Sequence, residues 1–100
     1  KNLNLNMELI KMKVNKETLL ELGLPYDYEN IMLDEIVDTS RWSNSHRIVF
    51  KYTDGKFYQA YYSVGATEMQ DERPWQYDNE VELTEVELKE IVIKKWVIKK

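Results

Sequence analysis

The side chain with the clearest catalytic potential is His46, the single histidine of the chain, which follows Ser43 and Ser45 closely. A histidine beside a serine can act as the general base that activates a nucleophile. The surrounding stretch is polar and lacks the G-x-S-x-G pattern that presents a nucleophilic serine on a sharp turn. We therefore interpret His46 as a surface or turn residue and expect the chain not to be an enzyme.

Metal and cofactor sites are weakly encoded as well. The chain has no cysteine, which excludes thiolate metal sites and disulfides. Carboxylates between residues 27 and 38 offer oxygen ligands for calcium or magnesium, but they lack EF-hand spacing. The three glycines are isolated from one another, so no glycine-rich phosphate loop can form. We predict no cofactor and no metal.

The strongest chemical signal is acidic. Residues 65–90 hold nine carboxylates against Arg73 and Lys89, and residues 91–100 hold four lysines and no acid. In an extended strand, Glu80 and Glu82 share one face at roughly 6.6–6.8 Å, comparable to successive phosphates of a nucleic-acid strand. Such a row, continued by Glu85 and Glu87 across a change of phase at Thr84, could occupy a basic nucleic-acid channel. An ordinary solvated strand face is the alternative interpretation.

Tyrosines on one predicted hairpin permit another chemistry. Tyr58, Tyr61 and Tyr62 could stack on single-stranded nucleic acid, as aromatic side chains do on single-strand-binding sheets. Such platforms accompany a basic groove, whereas here only Arg47, Lys51 and Lys56 lie close in sequence. Direct nucleic-acid binding is therefore the weaker alternative, and cross-strand packing explains the rings more simply.

Hydrophobic periodicity indicates an α+β fold that is mostly β, with about five antiparallel strands and one short N-terminal helix. Period-two alternation predicts a strand from Leu3 to Val14, with a bulge near Leu9. Asn15 can cap a helix over Lys16–Leu22 that buries Leu19, Leu20 and Leu22, and Gly23 would end it. Residues 31–37 fit either a helix or a strand, and the β-branched residues favour the strand.

The second half of the chain carries the clearest strand pattern. Residues 46–52 and 56–64 alternate around Asp54-Gly55, which predicts a hairpin with a type I′ turn. A polar turn over 38–45 precedes it. Residues 65–79 form a long loop, and 80–88 and 90–98 read as two further strands, with Val81, Leu83, Val86 and Leu88 in the core. The length of 100 residues fits one domain.

Several stretches resemble a family of small uncharacterised proteins from phages and prophages of Gram-positive bacteria. They are Asp-Thr-Ser-Arg-Trp-Ser at 38–43, Tyr-Tyr-Ser-Val-Gly-Ala-Thr-Glu-Met-Gln-Asp-Glu at 61–72, Pro-Trp at 74–75 and Val-Glu-Leu-Thr-Glu-Val at 81–86. The resemblance covers roughly residues 26–98, and members tend to carry Cys where Leu83 stands. The family has no established activity to transfer. It implies a phage setting, in which small acidic proteins often disable host enzymes.

Together these features lead us to expect a phage-encoded, non-catalytic binding protein that inhibits a host defence or nucleic-acid enzyme, in the manner of an anti-CRISPR protein. The partner would be a host protein with a basic surface, for example an RNA-guided nuclease. A structural or self-associating phage module is the alternative. Without a membrane span or signal peptide, we expect the cytoplasm of the bacterial host. The predicted contact residues are Glu68, Met69, Asp71, Glu72, Trp75, Tyr77, Glu80, Glu82, Glu85 and Glu87.

Overall fold

The fold consists of one five-stranded antiparallel sheet and one short helix, which confirms the predicted fold class. The computed structural model describes residues 9–67 and 71–100. Its elements in chain order are β1 (Lys11–Asn15), α1 (Lys16–Leu22), β2 (Ile31–Thr39), β3 (Ser43–Lys51), β4 (Phe57–Gly65) and β5 (Glu80–Glu85). The strand order β1-β5-β4-β3-β2 leaves β1 and β2 at the two edges.

Strand alternation gives the sheet two unlike faces. On the covered face, α1 and the loop around Trp75 pack against alternate strand residues to form one core cluster. The fully or nearly fully buried members are Leu19, Leu24, Ile48, Phe50, Tyr58, Ala60, Tyr62, Trp75, Val81 and Leu83. The opposite, open face carries the intervening residues, among them Lys13, Glu82, Tyr61, Arg47 and Leu33.

Helix α1 begins and ends where the sequence predicts. Asn15 occupies the N-cap position, although its side chain donates or accepts no capping hydrogen bond, and Gly23 adopts a left-handed φ of 105° that ends the helix. Only glycine reaches this conformation at low cost. The predicted buried face is partly wrong: Leu19 is buried and Leu22 half-buried, whereas Leu20 is exposed. Adjacent helical residues point about 100° apart, so a helix of seven residues lying on a sheet cannot bury both.

The central hairpin of β3 and β4 is confirmed, but its turn differs from the prediction. Lys51 pairs with Phe57, Tyr52 N–H donates to the Lys56 carbonyl, and Gly55 N–H donates to the Tyr52 carbonyl. Gly55 has a φ of 85°, whereas Asp54 is not in the positive-φ region. The loop is therefore a three-residue type, a type I turn followed by a left-handed glycine, rather than a type I′ turn.

Residues 31–37 lie in a strand, as favoured, and this strand extends further than predicted. Strand β2 runs to Thr39 and β3 begins at Ser43, so the predicted turn over 38–45 is limited to three residues. The Ser40 hydroxyl accepts the Ser43 N–H at 3.1 Å and closes that turn. Register shifts at Met32 and Val37 mark two bulges in the pairing of β2 with β3.

The two ends of the chain depart most from the predicted strands. Residues 1–8, and with them most of the predicted opening strand, lie outside the described residues. Strand β5 ends at Glu85, and residues 86–100 contain no helix or strand, so the predicted strand over 90–98 is wrong for this structure. Leu88 is fully exposed and not in the core, because the chain has left the sheet before it.

Candidate functional site

The predicted acidic contact surface is partly assembled on the open face. Glu80 and Glu82 point to this face, because Val81 and Leu83 between and beyond them are buried on the other. With Asp78 they line a cleft of about 220 Å³ between β4 and β5, opposite Gln59 and Tyr61. The cleft exists because β5 pairs with β4 only at Glu85 and Thr84 and diverges from it further back.

Lysines from the neighbouring edge strand moderate this acidity. The Lys11 ammonium lies 3.7 Å from the Glu82 carboxylate, and Lys13 is directly opposite Glu82 in the pairing of β1 with β5. Both partners of the ion pair are about half exposed, so the attraction is well screened by water. The ion pair involves Glu82, and the cleft is also lined by the carboxylates of Asp78 and Glu80.

The acidic row does not continue through Glu85 and Glu87 as predicted. Glu85 is the last residue of β5 and is half-buried, paired with Tyr58 of β4. Glu87 lies beyond the strand, where its carboxylate meets the Lys89 ammonium at 3.3 Å. The row is therefore restricted to Glu80 and Glu82, because the strand ends where the change of phase begins.

Trp75 is not displayed on the surface, which corrects the prediction that it serves as a contact residue. It is only 3% exposed. Its indole N–H donates to the Tyr61 carbonyl at 2.9 Å, and its ring packs at 5.9 Å from the Tyr62 ring. The indole N–H thereby satisfies a backbone carbonyl of β4 at a point where β5 has diverged and does not pair with it. Trp75 holds a φ of 57°, a conformation that costs a non-glycine residue energy and persists because the packing fixes it.

The other predicted loop residues have varied positions. Tyr77 is largely exposed, and Asp71 is exposed with its carboxylate 4.0 Å from Arg73. Glu72 is half-buried, and its backbone carbonyl accepts the Gly65 N–H. Glu68 and Met69 lie outside the described residues.

A polar cluster that the sequence did not reveal joins Asp34, His46 and Tyr62. The His46 Nδ1 lies 2.9 Å from Asp34 Oδ1, and the Tyr62 hydroxyl donates to Asp34 Oδ2 at 2.6 Å. The His46 and Tyr62 rings stack with centroids 4.6 Å apart. Burial, and then the hydrogen bond to Asp34, raise the pKa of the Tyr62 hydroxyl well above its usual range. Each ring is thus tied by its polar atoms to the same carboxylate.

Neither Ser43 nor Ser45, the serines close to His46 in the sequence, belongs to this cluster. His46 and Ser45 are adjacent strand residues and therefore project to opposite faces of the sheet. The Ser45 hydroxyl instead approaches the Ser63 hydroxyl at 3.5 Å across the β3–β4 pair. His46 of β3 and Tyr62 of β4 are thus both connected to β2 through Asp34, which is the only carboxylate of β2 on the covered face opposite them.

The open face also holds an apolar groove of about 430 Å³ near the β2 edge. Its lining comes from β2, β3, β4 and the first residues of the 86–100 segment: Met32, Leu33, Arg47, Val49, Phe57, Val86, Glu87 and Leu88. The Arg47 guanidinium donates to Glu35 at 2.9 Å and to Gln59 at 3.0 Å, so it lies along the open face with its charge paired to the Glu35 carboxylate. The groove is consequently a predominantly hydrophobic surface next to an exposed strand edge.

The 86–100 segment carries many exposed apolar side chains. Its large apolar side chains from Leu88 to Ile98 are each at least 71% exposed: Leu88, Ile91, Val92, Ile93, Trp96, Val97 and Ile98. Groups of exposed apolar side chains are typical of interaction surfaces.

The described residues form neither a metal-binding cluster nor a membrane-spanning helix. No group of three or more His, Asp or Glu side chains could hold a metal ion there. Within residues 9–67 and 71–100, no helix has the length and apolar character needed to cross a membrane. No family model, curated protein or solved structure matches this chain.

Proposed function

We propose that this chain is a phage-encoded, non-catalytic binding protein that inhibits a host defence or nucleic-acid enzyme by occupying a basic surface. The observation that supports this proposal best is the acidic cleft, which gathers Asp78, Glu80 and Glu82 on the open face. An enzyme that holds nucleic acid in a positively charged channel, such as an RNA-guided nuclease, offers a complementary surface. The phage setting comes from the sequence resemblance alone.

Electrostatic steering supplies the physical mechanism. Opposite charges accelerate encounter by roughly 10-fold to 1,000-fold, and salt weakens this effect over a Debye length of about 8–10 Å. A protein that presents carboxylates to a basic channel would therefore associate faster at low salt. Tyr61 and Tyr77, both exposed near the acidic residues, would supply aromatic contacts that slow dissociation.

A charge-reversal experiment tests this proposal. In an in vitro DNA-cleavage assay with an RNA-guided nuclease from a Gram-positive host, the native chain should reduce cleavage. The double variant Glu80→Lys/Glu82→Lys should associate roughly tenfold more slowly or worse. Circular dichroism serves as the folding control, because neither side chain is in the core. The matched control Glu17→Lys/Glu21→Lys changes the same charge on the exposed side of α1 and should retain inhibition.

The result that contradicts the proposal is equally concrete. If the folded Glu80→Lys/Glu82→Lys variant inhibits with unchanged association kinetics, the acidic cleft is not the contact. If the native chain inhibits none of a panel of nucleases and nucleic-acid enzymes pulled down from the host, the inhibitor function itself is wrong.

A self-associating module is a second candidate, favoured by the exposed apolar residues of the 86–100 segment. Single-strand binding through Tyr58, Tyr61 and Tyr62 is contradicted as a three-ring platform, because Tyr58 and Tyr62 are buried in the core and only Tyr61 is accessible. Bases cannot stack on rings that are buried in the core.

A further inference from the structure

The 90–98 segment has the composition of a strand but no strand partner in this structure. Six of its nine residues are apolar or aromatic, three on each side of the two central lysines, and the alternation predicts a strand there. Its apolar side chains are nevertheless exposed to solvent. Pairing with a strand edge would stabilise such a segment. The edge would supply hydrogen bonds to the backbone of the segment and would cover part of its apolar side chains.

The β2 edge of the sheet has the matching properties. Strand β2 has nine residues and ends the sheet, so one side of its backbone faces no strand among the described residues. Four of its apolar residues are exposed, namely Met32, Leu33, Ile36 and Val37. Strand β2 carries Asp34, Glu35 and Asp38 and no base, whereas residues 91–100 carry four lysines and no acid. The edge and the segment are therefore opposite in charge and alike in hydrophobicity.

One register satisfies both patterns at once. With residues 93–96 antiparallel to residues 33–36, the stretch of β2 between its two bulges, Lys94 is opposite Glu35 and Lys95 is opposite Asp34. The two flanking positions then pair apolar with apolar: Ile93 with Ile36 and Trp96 with Leu33. In the parallel alternative, Lys95 is opposite Ile36 and Ile93 is opposite Asp34, so the pattern fails. Directly opposed residues share a face, and opposite charges there are stabilising.

The antiparallel register cannot form within one chain. Leu88 lines the same groove as Met32 and Leu33, near the beginning of β2. Residue 90 would have to lie at or beyond Thr39, at least six residues further along β2 than Leu33 and thus about 20 Å away. Two residues of extended chain reach at most about 7 Å. The strand that pairs in this register must come from another molecule.

We infer that residues 90–98 of one molecule form a sixth strand antiparallel to β2 of a second copy of this chain. The exchange places Trp96 on the open face beside Leu33, at the border of the apolar groove, which explains why that groove is hydrophobic. Asp34 and Glu35 already bind His46, Tyr62 and Arg47, but each carboxylate oxygen accepts more than one hydrogen bond. This inference specifies the site of the self-association proposed as the second candidate and does not depend on the inhibitor function.

Disulfide trapping tests the register directly, since the chain has no cysteine that could compete. The double variant Ile36→Cys/Ile93→Cys, oxidised at micromolar concentration, should give a disulfide-linked dimer on a non-reducing gel. The matched variant Ile36→Cys/Lys95→Cys brings together the pair that the parallel register within one chain would align. It should give little crosslink. The reverse outcome, an intramolecular disulfide in the second variant alone, would overturn the inference in favour of a strand that folds back on its own molecule.

Light scattering on the full chain provides an independent measurement. We expect a dimer that dissociates on dilution, and we expect Lys94→Glu/Lys95→Glu to weaken it tenfold or more, because like charges would then be opposed. Lys99→Glu/Lys100→Glu makes the same change of charge outside the nine paired residues and should weaken it much less. A native chain that stays monomeric at high micromolar concentration refutes both the strand exchange and self-association. A dimer without the 36–93 crosslink refutes the exchange alone. Neither result bears on inhibition, which is assayed separately.

Discussion

Replacing Trp75 with alanine separates a core residue from a contact residue. Trp75 is 3% exposed, and its indole N–H donates to the Tyr61 carbonyl at 2.9 Å. Tryptophan-to-alanine changes in cores cost about 3–5 kcal/mol through lost burial and the cavity left behind. The carbonyl that loses its donor adds to that cost, so we expect Trp75→Ala to lower the free energy of unfolding by about 4–5 kcal/mol. A 100-residue domain has about 5–15 kcal/mol in total, so this variant would be close to unfolding.

Urea denaturation followed by circular dichroism measures the loss, and Trp42 provides the matched control. Trp42 is mostly exposed and its ring contacts Arg41 at 5.6 Å, so Trp42→Ala should change the free energy of unfolding by no more than about 0.5 kcal/mol. Trp75→Phe keeps most of the ring but loses the N–H donor, and we expect an intermediate loss of about 1–3 kcal/mol.

The backbone of Trp75 allows a sharper test of the same reasoning. At a φ of 57°, an alanine keeps the left-handed strain of roughly 1–2 kcal/mol, whereas glycine does not. Trp75→Gly should therefore be more stable than Trp75→Ala, the reverse of the order expected in a regular strand or helix. If Trp75→Ala unfolds at the same urea concentration as the native chain, the packing described for this residue is wrong. If glycine is the worse replacement, the left-handed backbone conformation described for it is wrong.

Two further predictions concern the helix and the hairpin turn. Leu19→Ala should cost about 2–5 kcal/mol in urea denaturation and Leu20→Ala less than about 1 kcal/mol, because only Leu19 is buried. Hydrogen bonds from the Lys56 N–H and the Tyr58 hydroxyl lower the pKa of Asp54 in the folded protein. The ionised carboxylate therefore stabilises the fold above the pKa of the unfolded state, and this stabilisation is lost as the pH falls through the pKa of the folded state. The destabilisation caused by Asp54→Asn should accordingly shrink in acid. The same hydrogen bond raises the pKa of Tyr58 to about 12, so its stabilising effect should fade between about pH 10 and 12 and be absent in Tyr58→Phe.

The central hairpin and the helix could be predicted because their signals are local. Alternation over β3 and β4 and the glycine at position 55 fix two strands and the position of the turn. The turn type could not be fixed, because whether two or three residues form the loop depends on the register of Lys51 with Phe57. Gly23 likewise ends the helix, but which leucines it buries depends on how the helix lies on the sheet.

The site residues were harder to predict because their environments come from distant parts of the chain. Lys11 meets Glu82 only because β1 pairs with β5, about seventy residues away in sequence. Trp75 lies in a loop without periodicity, so nothing local distinguishes an indole that fills a gap in the sheet from one that faces solvent. The Asp34–His46 contact depends on the register of β2 with β3, which is shifted by two bulges.

The segment over 90–98 represents a different limit. Its alternation was interpreted as a strand of the same molecule, and the structure contains no such strand. A residue pattern expresses a preference for extended backbone, but a strand also requires an edge to supply hydrogen bonds. The pattern cannot specify whether that edge belongs to the same molecule or to another.

The two proposed surfaces can act independently because the sheet separates them. Glu80 and Glu82 belong to β5, whereas the proposed exchange uses β2, and β4 and β3 lie between. Three strand spacings amount to about 14 Å, which exceeds the Debye length of about 8–10 Å at physiological salt. Reversing the charge of Glu80 and Glu82 should therefore leave the dimer intact. A dimer would in turn carry two acidic clefts, one on each copy, so a partner with two basic sites would bind it more tightly than a single cleft allows, provided that both sites can be reached at once.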